Sequence, residues 1–196
     1  MRILYYFTLK CEIALQYFAI MDISFMAKVK ISNSSIQIVE MDQSMAYDVW
    51  QNSLDEDNRK YVPDEVFKTL EEAKGVIDFI IESYKSKEGP FIYAVIRKED
   101  NANIGYVQLV KIDEGYEIGY HIAKKYTGKG YATEAVKLFL EYLKDNTDLK
   151  KVYGVALAEN KASCRVLEKC GFKLYFEGQG LYQGNKKQII KTIKNL

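Results

Sequence analysis

The chain is poor in the side chains that carry most metal and nucleophile chemistry. Its 196 residues include one histidine, His121, and three cysteines, Cys11, Cys164 and Cys170. A zinc site needs three or four such ligands close together, so no metal is expected. A Ser-His-Asp or Cys-His hydrolase would rest on His121 alone. An odd cysteine count with no Cys-x-x-Cys pair fits a reducing cytoplasm, which is the expected location. Two prolines and twelve glycines are too few for a long disordered tract. No run of roughly 18 apolar residues occurs, so no membrane span is expected. Charge of one sign is lacking too. Lys plus Arg is 28 and Asp plus Glu is 27, a net of +1. That balance excludes a general nucleic-acid coat, which needs an excess of Lys and Arg over phosphate.

What is present reads as one ordinary globule. Hydrophobic residues make up 48% and charged residues 28%, and the length suits a single well-buried core. Residues 1–30 form an N-terminal extension of uncertain status, and 31–196 the domain. The opening MRILYYFTLKCEIALQYFAIMDISFM is apolar and aromatic but broken by Lys10 and Glu12. Its apolar run is too short for a signal peptide. The favoured reading is a start assigned too early, with Met21 or Met26 opening the functional domain. The other is an extra element packed on the domain or a partner. The near-neutral total also hides a polarity: residues 1–120 carry a net −7 and residues 121–196 a net +8.

Periodicity predicts strands at 36–39, 91–96, 104–112, 116–123, 151–157, 172–176 and 188–193. It predicts helices at 42–52, 69–84, 132–144 and 160–170. Thr69 and Glu72 suggest a capping box, and Gly171 a helix stop. Strands followed by strand–helix–strand–helix–strand make a mixed α+β domain around one sheet.

The most informative stretch is IGYHIAKKYTGKGYATEAVKLFLEYL, residues 118–143. A strand leads through a glycine-bearing turn into an amphipathic helix. Gly128 and Gly130 let backbone approach a ligand with no Cβ in the way. The N–H groups of the following helix then favour an anion. Lys129 stands between the glycines, with Lys124 and Lys125 just before. A pyrophosphate fits this description. A Rossmann fingerprint would need a third small residue where Thr133 stands, and a Walker loop would need four residues between its glycines. On the residues alone a plain glycine turn remains the alternative.

Two blocks resemble the GNAT superfamily of N-acetyltransferases. Thr127-Gly128-Lys129-Gly130-Tyr131-Ala132 falls on its Gln/Arg-x-x-Gly-x-Gly/Ala signature, with Thr127 in place of the usual Gln or Arg. The continuation through Thr133, Glu134 and Ala135 is close to the branch that acetylates ribosomal-protein N-termini (RimJ/RimL-like). Residues 160–172, NKASCRVLEKCGF, resemble the family's Asn-x-x-Ser helix ending at Gly-Phe. Upstream, RKYVPDEVF and TLEEAKGVIDFIIE are similar to the helical entry of the same branch. On residues alone, Asn160 is equally a helix cap.

The resemblance implies a GNAT-like α+β domain with a mixed central sheet of about six to seven strands, whose splayed middle strands hold acetyl-CoA as co-substrate. It implies cofactor contacts at Ile122, Ala123, Thr127, Gly128, Lys129, Gly130, Tyr131, Ala132, Thr133, Asn160 and Ser163, with a backbone N–H near Ile122 for the thioester carbonyl. It places a carboxylate base at Glu117. By alternation Glu117 and His121 share one side of their strand, so His121 is a second candidate. Leu167 stands where the family often has a tyrosine acid. The implied function is acetyl transfer to a primary amine, either a protein N-terminus or a small molecule such as a polyamine, an amino acid or an antibiotic. A CoA-binding domain without catalysis is the alternative, and a nucleotide module a weaker one. Expected partners are that amine, no nucleic acid and no membrane, with a homodimer as one option for assembly. Asp55, Glu56, Asp57, Asp64 and Glu65 form an acidic segment near the expected amine entry. Tyr84, Tyr93, Tyr106 and Tyr120 are candidates for either groove or core.

Overall fold

The computed structural model describes residues 29–86 and 89–196. Both readings of the segment before Val29 lie outside the described residues. Among the described residues eight strands form one sheet: β1 (Lys30–Ser32), β2 (Ile36–Glu40), β3 (Phe91–Arg97), β4 (Ala102–Ile112), β5 (Gly115–Ile122), β6 (Lys151–Leu157), β7 (Lys173–Tyr182) and β8 (Asn185–Asn195). Their order is β1-β2-β3-β4-β5-β6-β8-β7. Five α-helices of the described residues accompany them: α1 (Ala46–Ser53), α2 (Glu56–Tyr61), α3 (Leu70–Ser83), α4 (Tyr131–Asn146) and α5 (Lys161–Lys169). The α+β class and single mixed sheet match expectation. The strand count is eight rather than six to seven, because β1 is three residues long and too short to show a period.

The central strands are buried on both faces. On β3, Phe91, Tyr93 and Val95 face one core while Ile92, Ala94 and Ile96 face the other. The first core takes Ala135, Val136, Phe139 and Leu143 from α4. Those positions follow the three-and-four spacing seen in the sequence. The second core takes Ile80 of α3. At the start of α3, the Thr69 hydroxyl accepts from Glu72 N at 3.2 Å. The Glu72 carboxylate returns to the N–H of Lys68 rather than to the cap itself.

One feature of the sheet matters most for function. Neighbours from β1 to β5 pair antiparallel along several residues. The parallel neighbours β5 and β6 share a single pair, Glu117 with Tyr153. Beyond that pair the strands part toward Ile122 and Leu157, which leaves a V-shaped gap in the sheet.

Candidate active site

A cleft of about 590 Å³ occupies the gap. Its floor is the last half of β5, from Ile118 to Ile122. One wall is the loop from Thr127 to Gly130 and the start of α4. The second is α5 from Asn160 to Leu167, and the third is α2 with the turn after it. Gly119 keeps the floor low. A Cβ there would stand 2.4 Å from Nε2 of Gln108, its partner on β4. Glycine lets the Gln108 side chain lie across the strand.

The loop has the form of an anion cradle. Gly128 has φ +77° and Gly130 has φ +89°, a left-handed backbone that disfavours any side chain with a Cβ. Nothing lies within 4 Å of a Cβ built on Gly128. Gly130 is the N-cap of α4, and no side chain caps that helix. The N–H groups of its first turn have no acceptors within the helix, and they open onto the cleft at Tyr131, Ala132 and Thr133.

Across the gap, Asn160 caps α5 by accepting from Ser163 N at 3.1 Å. The Tyr120 hydroxyl reaches over from β5. It donates to the Ser163 carbonyl at 3.0 Å and lies 2.9 Å from the Ser163 hydroxyl. This clasp ties the splayed strand to α5. Burial pushes the Tyr120 phenol up, against the pull of Ser163, so it stays protonated.

The third wall is fastened by Asp55, the N-cap of α2. Its carboxylate accepts from Asn58 N and from Lys124 N, both at 2.9 Å. It also faces Nε2 of His121 at 3.5 Å. Burial alone would raise the Asp55 carboxyl, but His121 and the two N–H groups outweigh it and bring it down to about 2. Lys124 Nζ binds both oxygens of Asp57, at 3.0 and 2.9 Å. Its charge is therefore spent on α2 rather than offered to a phosphate.

Most of the sequence-predicted residues meet in this cleft: His121, Ile122, Thr127, Gly128, Gly130, Tyr131, Ala132, Thr133, Asn160 and Ser163 line it. Three do not. Ala123 is buried, and its N–H goes to the Ile104 carbonyl at 2.9 Å. Lys129 is exposed and is not part of the cleft lining. Glu117 sits at the closed end of the V, 4% exposed, outside the cleft wall. Leu167 is buried against the cleft, an apolar group where an acid was sought. Of the four tyrosines considered, Tyr106 and Tyr120 line the cleft, whereas Tyr84 and Tyr93 stack in the interior at 5.4 Å. The sequence reading assigned no role to Asn58 or Gln108. Both are ordinary polar residues whose place is set by the fold. Cys164 and Cys170 are free thiols that burial pushes up, Cys170 to about 11, so neither is a ready nucleophile. Among the described residues, no group of His, Cys, Asp and Glu could hold a metal ion, and no helix is long and apolar enough to cross a membrane.

Residues 37–173 match the family described as the acetyltransferase (GNAT) domain. A curated relative, the uncharacterized N-acetyltransferase YnaD of Bacillus subtilis (strain 168), is 31% identical over 128 residues, 64% of this chain and 71% of that protein. The crystal structure of a GNAT-family acetyltransferase from Bacillus anthracis superposes with TM-score 0.71 at 25% identity, covering 85% of this chain and 98% of that one. The fold is also shared with RimL, a ribosomal L7/L12 α-N-protein acetyltransferase solved with coenzyme A. There the TM-score is 0.71 at 17% identity, covering 86% of this chain and 98% of that one. Family match, relative and fold agree: the chain belongs to the GNAT acetyltransferase family and is an N-acetyltransferase.

Proposed function

We propose that the enzyme transfers the acetyl group of acetyl-CoA directly to a primary amine in the β5–β6 gap, with His121 as the base. The observation that carries this reading is the placement of His121 on the cleft floor, backed by Asp55 and one strand end away from the glycine cradle. Acetyl-CoA supplies an activated thioester, and a solved neighbour of the same fold holds coenzyme A. Gly128, Gly130 and the first-turn N–H groups of α4 suit its pyrophosphate. Asn160, Ser163 and the floor at Ile122 suit the arm that follows.

The chain's own groups then do three things. The cradle and α5 fix the thioester in place, so that attack is effectively unimolecular. His121 takes the proton from the attacking nitrogen as the C–N bond forms and the C–S bond breaks. Asp55 faces its Nε2, which leaves the other ring nitrogen with the lone pair and stabilises the imidazolium. The leaving thiolate takes its proton from water, since Leu167 offers none. Glu117 lies outside the cleft wall and takes no step in this reading. The test is release of free CoA with an amine panel. Wild type should release it with at least one amine, and His121→Gln should slow that release by about a hundredfold.

A further inference from the structure

The glycine cradle has few bonds of its own. Among the described residues, Gly128 and Lys129 make no backbone hydrogen bond. A glycine loop left to itself samples many shapes, and holding it in one costs entropy. An anion site works best where its N–H groups already converge. The loop is held instead from outside, at its two ends.

Both ends are aromatic. Tyr126 closes the short turn before the loop, and Tyr131 opens α4 after it. Both line the cleft and pack against the first core. One side chain from a distant strand meets both of them. The Arg97 guanidinium, at the end of β3, stands over the Tyr126 ring at 4.9 Å from its centroid. It is also within hydrogen-bonding reach of the Tyr131 hydroxyl. Arg97 itself is not part of the cleft lining.

The guanidinium is anchored on the β3–β4 turn. Its Nε and one terminal nitrogen donate to the two Asp100 oxygens at 3.0 and 2.6 Å, and the other terminal nitrogen donates to Glu99 at 2.9 Å. A second strap comes from the neighbouring β1–β2 turn. There Asn33 Nδ2 donates to the carboxylate of Glu134, in the first turn of α4, at 3.2 Å.

Two carboxylates already hold the Arg97 charge, so little of it is left to draw in a phosphate. What Arg97 brings is shape: a planar fork that grips Asp100 with two bonds, covers one ring and reaches the next. We propose that Arg97 is a positioning residue for the cofactor. It staples Tyr126 to Tyr131 and so holds the loop between them in the form that receives the pyrophosphate of acetyl-CoA. This rests on the reading of the glycine loop as the cofactor cradle.

The test compares two ligands of the full chain: CoA, and pantetheine, which has the same thiol arm and no pyrophosphate. CoA affinity is read by calorimetric titration, and pantetheine affinity by ligand-observed NMR. Wild type should bind CoA about a hundredfold or more tighter, because CoA alone engages the cradle. Arg97→Lys keeps the charge and loses the fork. It should weaken CoA about tenfold and leave pantetheine within about twofold of wild type. Tyr131→Phe removes one hydroxyl and should weaken CoA about threefold, and the two changes together should be less than additive. Equal weakening of both ligands by Arg97→Lys would show a general structural role and overturn the staple. Unchanged CoA affinity in Arg97→Lys would overturn it too, since a charge alone would then suffice. Wild type that binds both ligands equally, or neither, overturns the cradle reading and the staple with it. Where Arg97→Lys fails to fold, Tyr131→Phe decides by the same comparison.

Discussion

The Asp55 carboxylate stands 3.5 Å from Nε2 of His121 and binds the backbone of both Asn58 and Lys124. One side chain thus caps α2, fastens the acceptor wall to the end of β5, and faces the histidine on the cleft floor. Contacts of this kind are commonly long before substrate binds and tighten in the reacting complex.

Asp55→Asn can keep one of the two backbone contacts, since its amide has a single acceptor oxygen, and it removes the charge behind His121. Turnover should fall by roughly ten- to hundredfold with little change in the KM for acetyl-CoA, and the pH–rate profile should shift. A change in KM alone would contradict the role assigned to Asp55.

The same carboxyl links stability to pH. Its value in the folded protein is about 2, below the ordinary 3.8. A depressed carboxyl contributes stability above its unfolded pKa and loses it as pH falls through the folded one. Urea unfolding of wild type should weaken between pH 4 and 2 by on the order of 1–2 kcal/mol more than that of Asp55→Asn, after allowance for solvent screening. Parallel acid profiles would contradict it.

Glu117→Gln should keep kcat within about threefold of wild type, because Glu117 lies outside the cleft wall. The same substitution type at His121 should cost about a hundredfold. The reverse ranking, measured by CoA release, would return the base to Glu117.

Gly130→Val places a β-branched residue at φ +89°. The strain should lower stability by about 1–3 kcal/mol. Acetyl-CoA affinity, measured by calorimetric titration, should fall at least about tenfold as the cradle shifts. Unchanged affinity would mean that the loop does not hold the cofactor.

The Tyr120–Ser163 clasp is testable by a double-mutant cycle of Tyr120→Phe and Ser163→Ala. A coupling of about 1 kcal/mol is expected. Strict additivity would show that the two hydroxyls act independently.

The parts legible in the sequence were those with local signals. The β6 bounds agree residue for residue, and α4 and its glycine turn follow from apolar spacing and two glycines one residue apart. The missed or shortened elements lack such signals. The segment EDNRKY of α2 has no apolar stripe and is held by the Asp55 cap and by Lys124–Asp57. The expected 42–52 helix is a 3-10 turn at Gln43–Met45 followed by α1. Strands β7 and β8 run longer than expected because their hairpin pairs through glycine-rich and charged sequence, FEGQGLY against NKKQII, with few buried side chains. Within the site, the cradle was readable because it is contiguous. The Asp55–His121 and Glu65–Tyr106 contacts join residues distant in the chain, and only the sheet register and α2 bring them together.

The most direct measurement is mass analysis of an amine pool incubated with the enzyme and acetyl-CoA, alongside thiol titration of the freed CoA. The account predicts an amine heavier by one acetyl group, free CoA in one-to-one ratio, and both slowed about a hundredfold by His121→Gln. Tight acetyl-CoA binding with no acetylated amine and no freed CoA would contradict it.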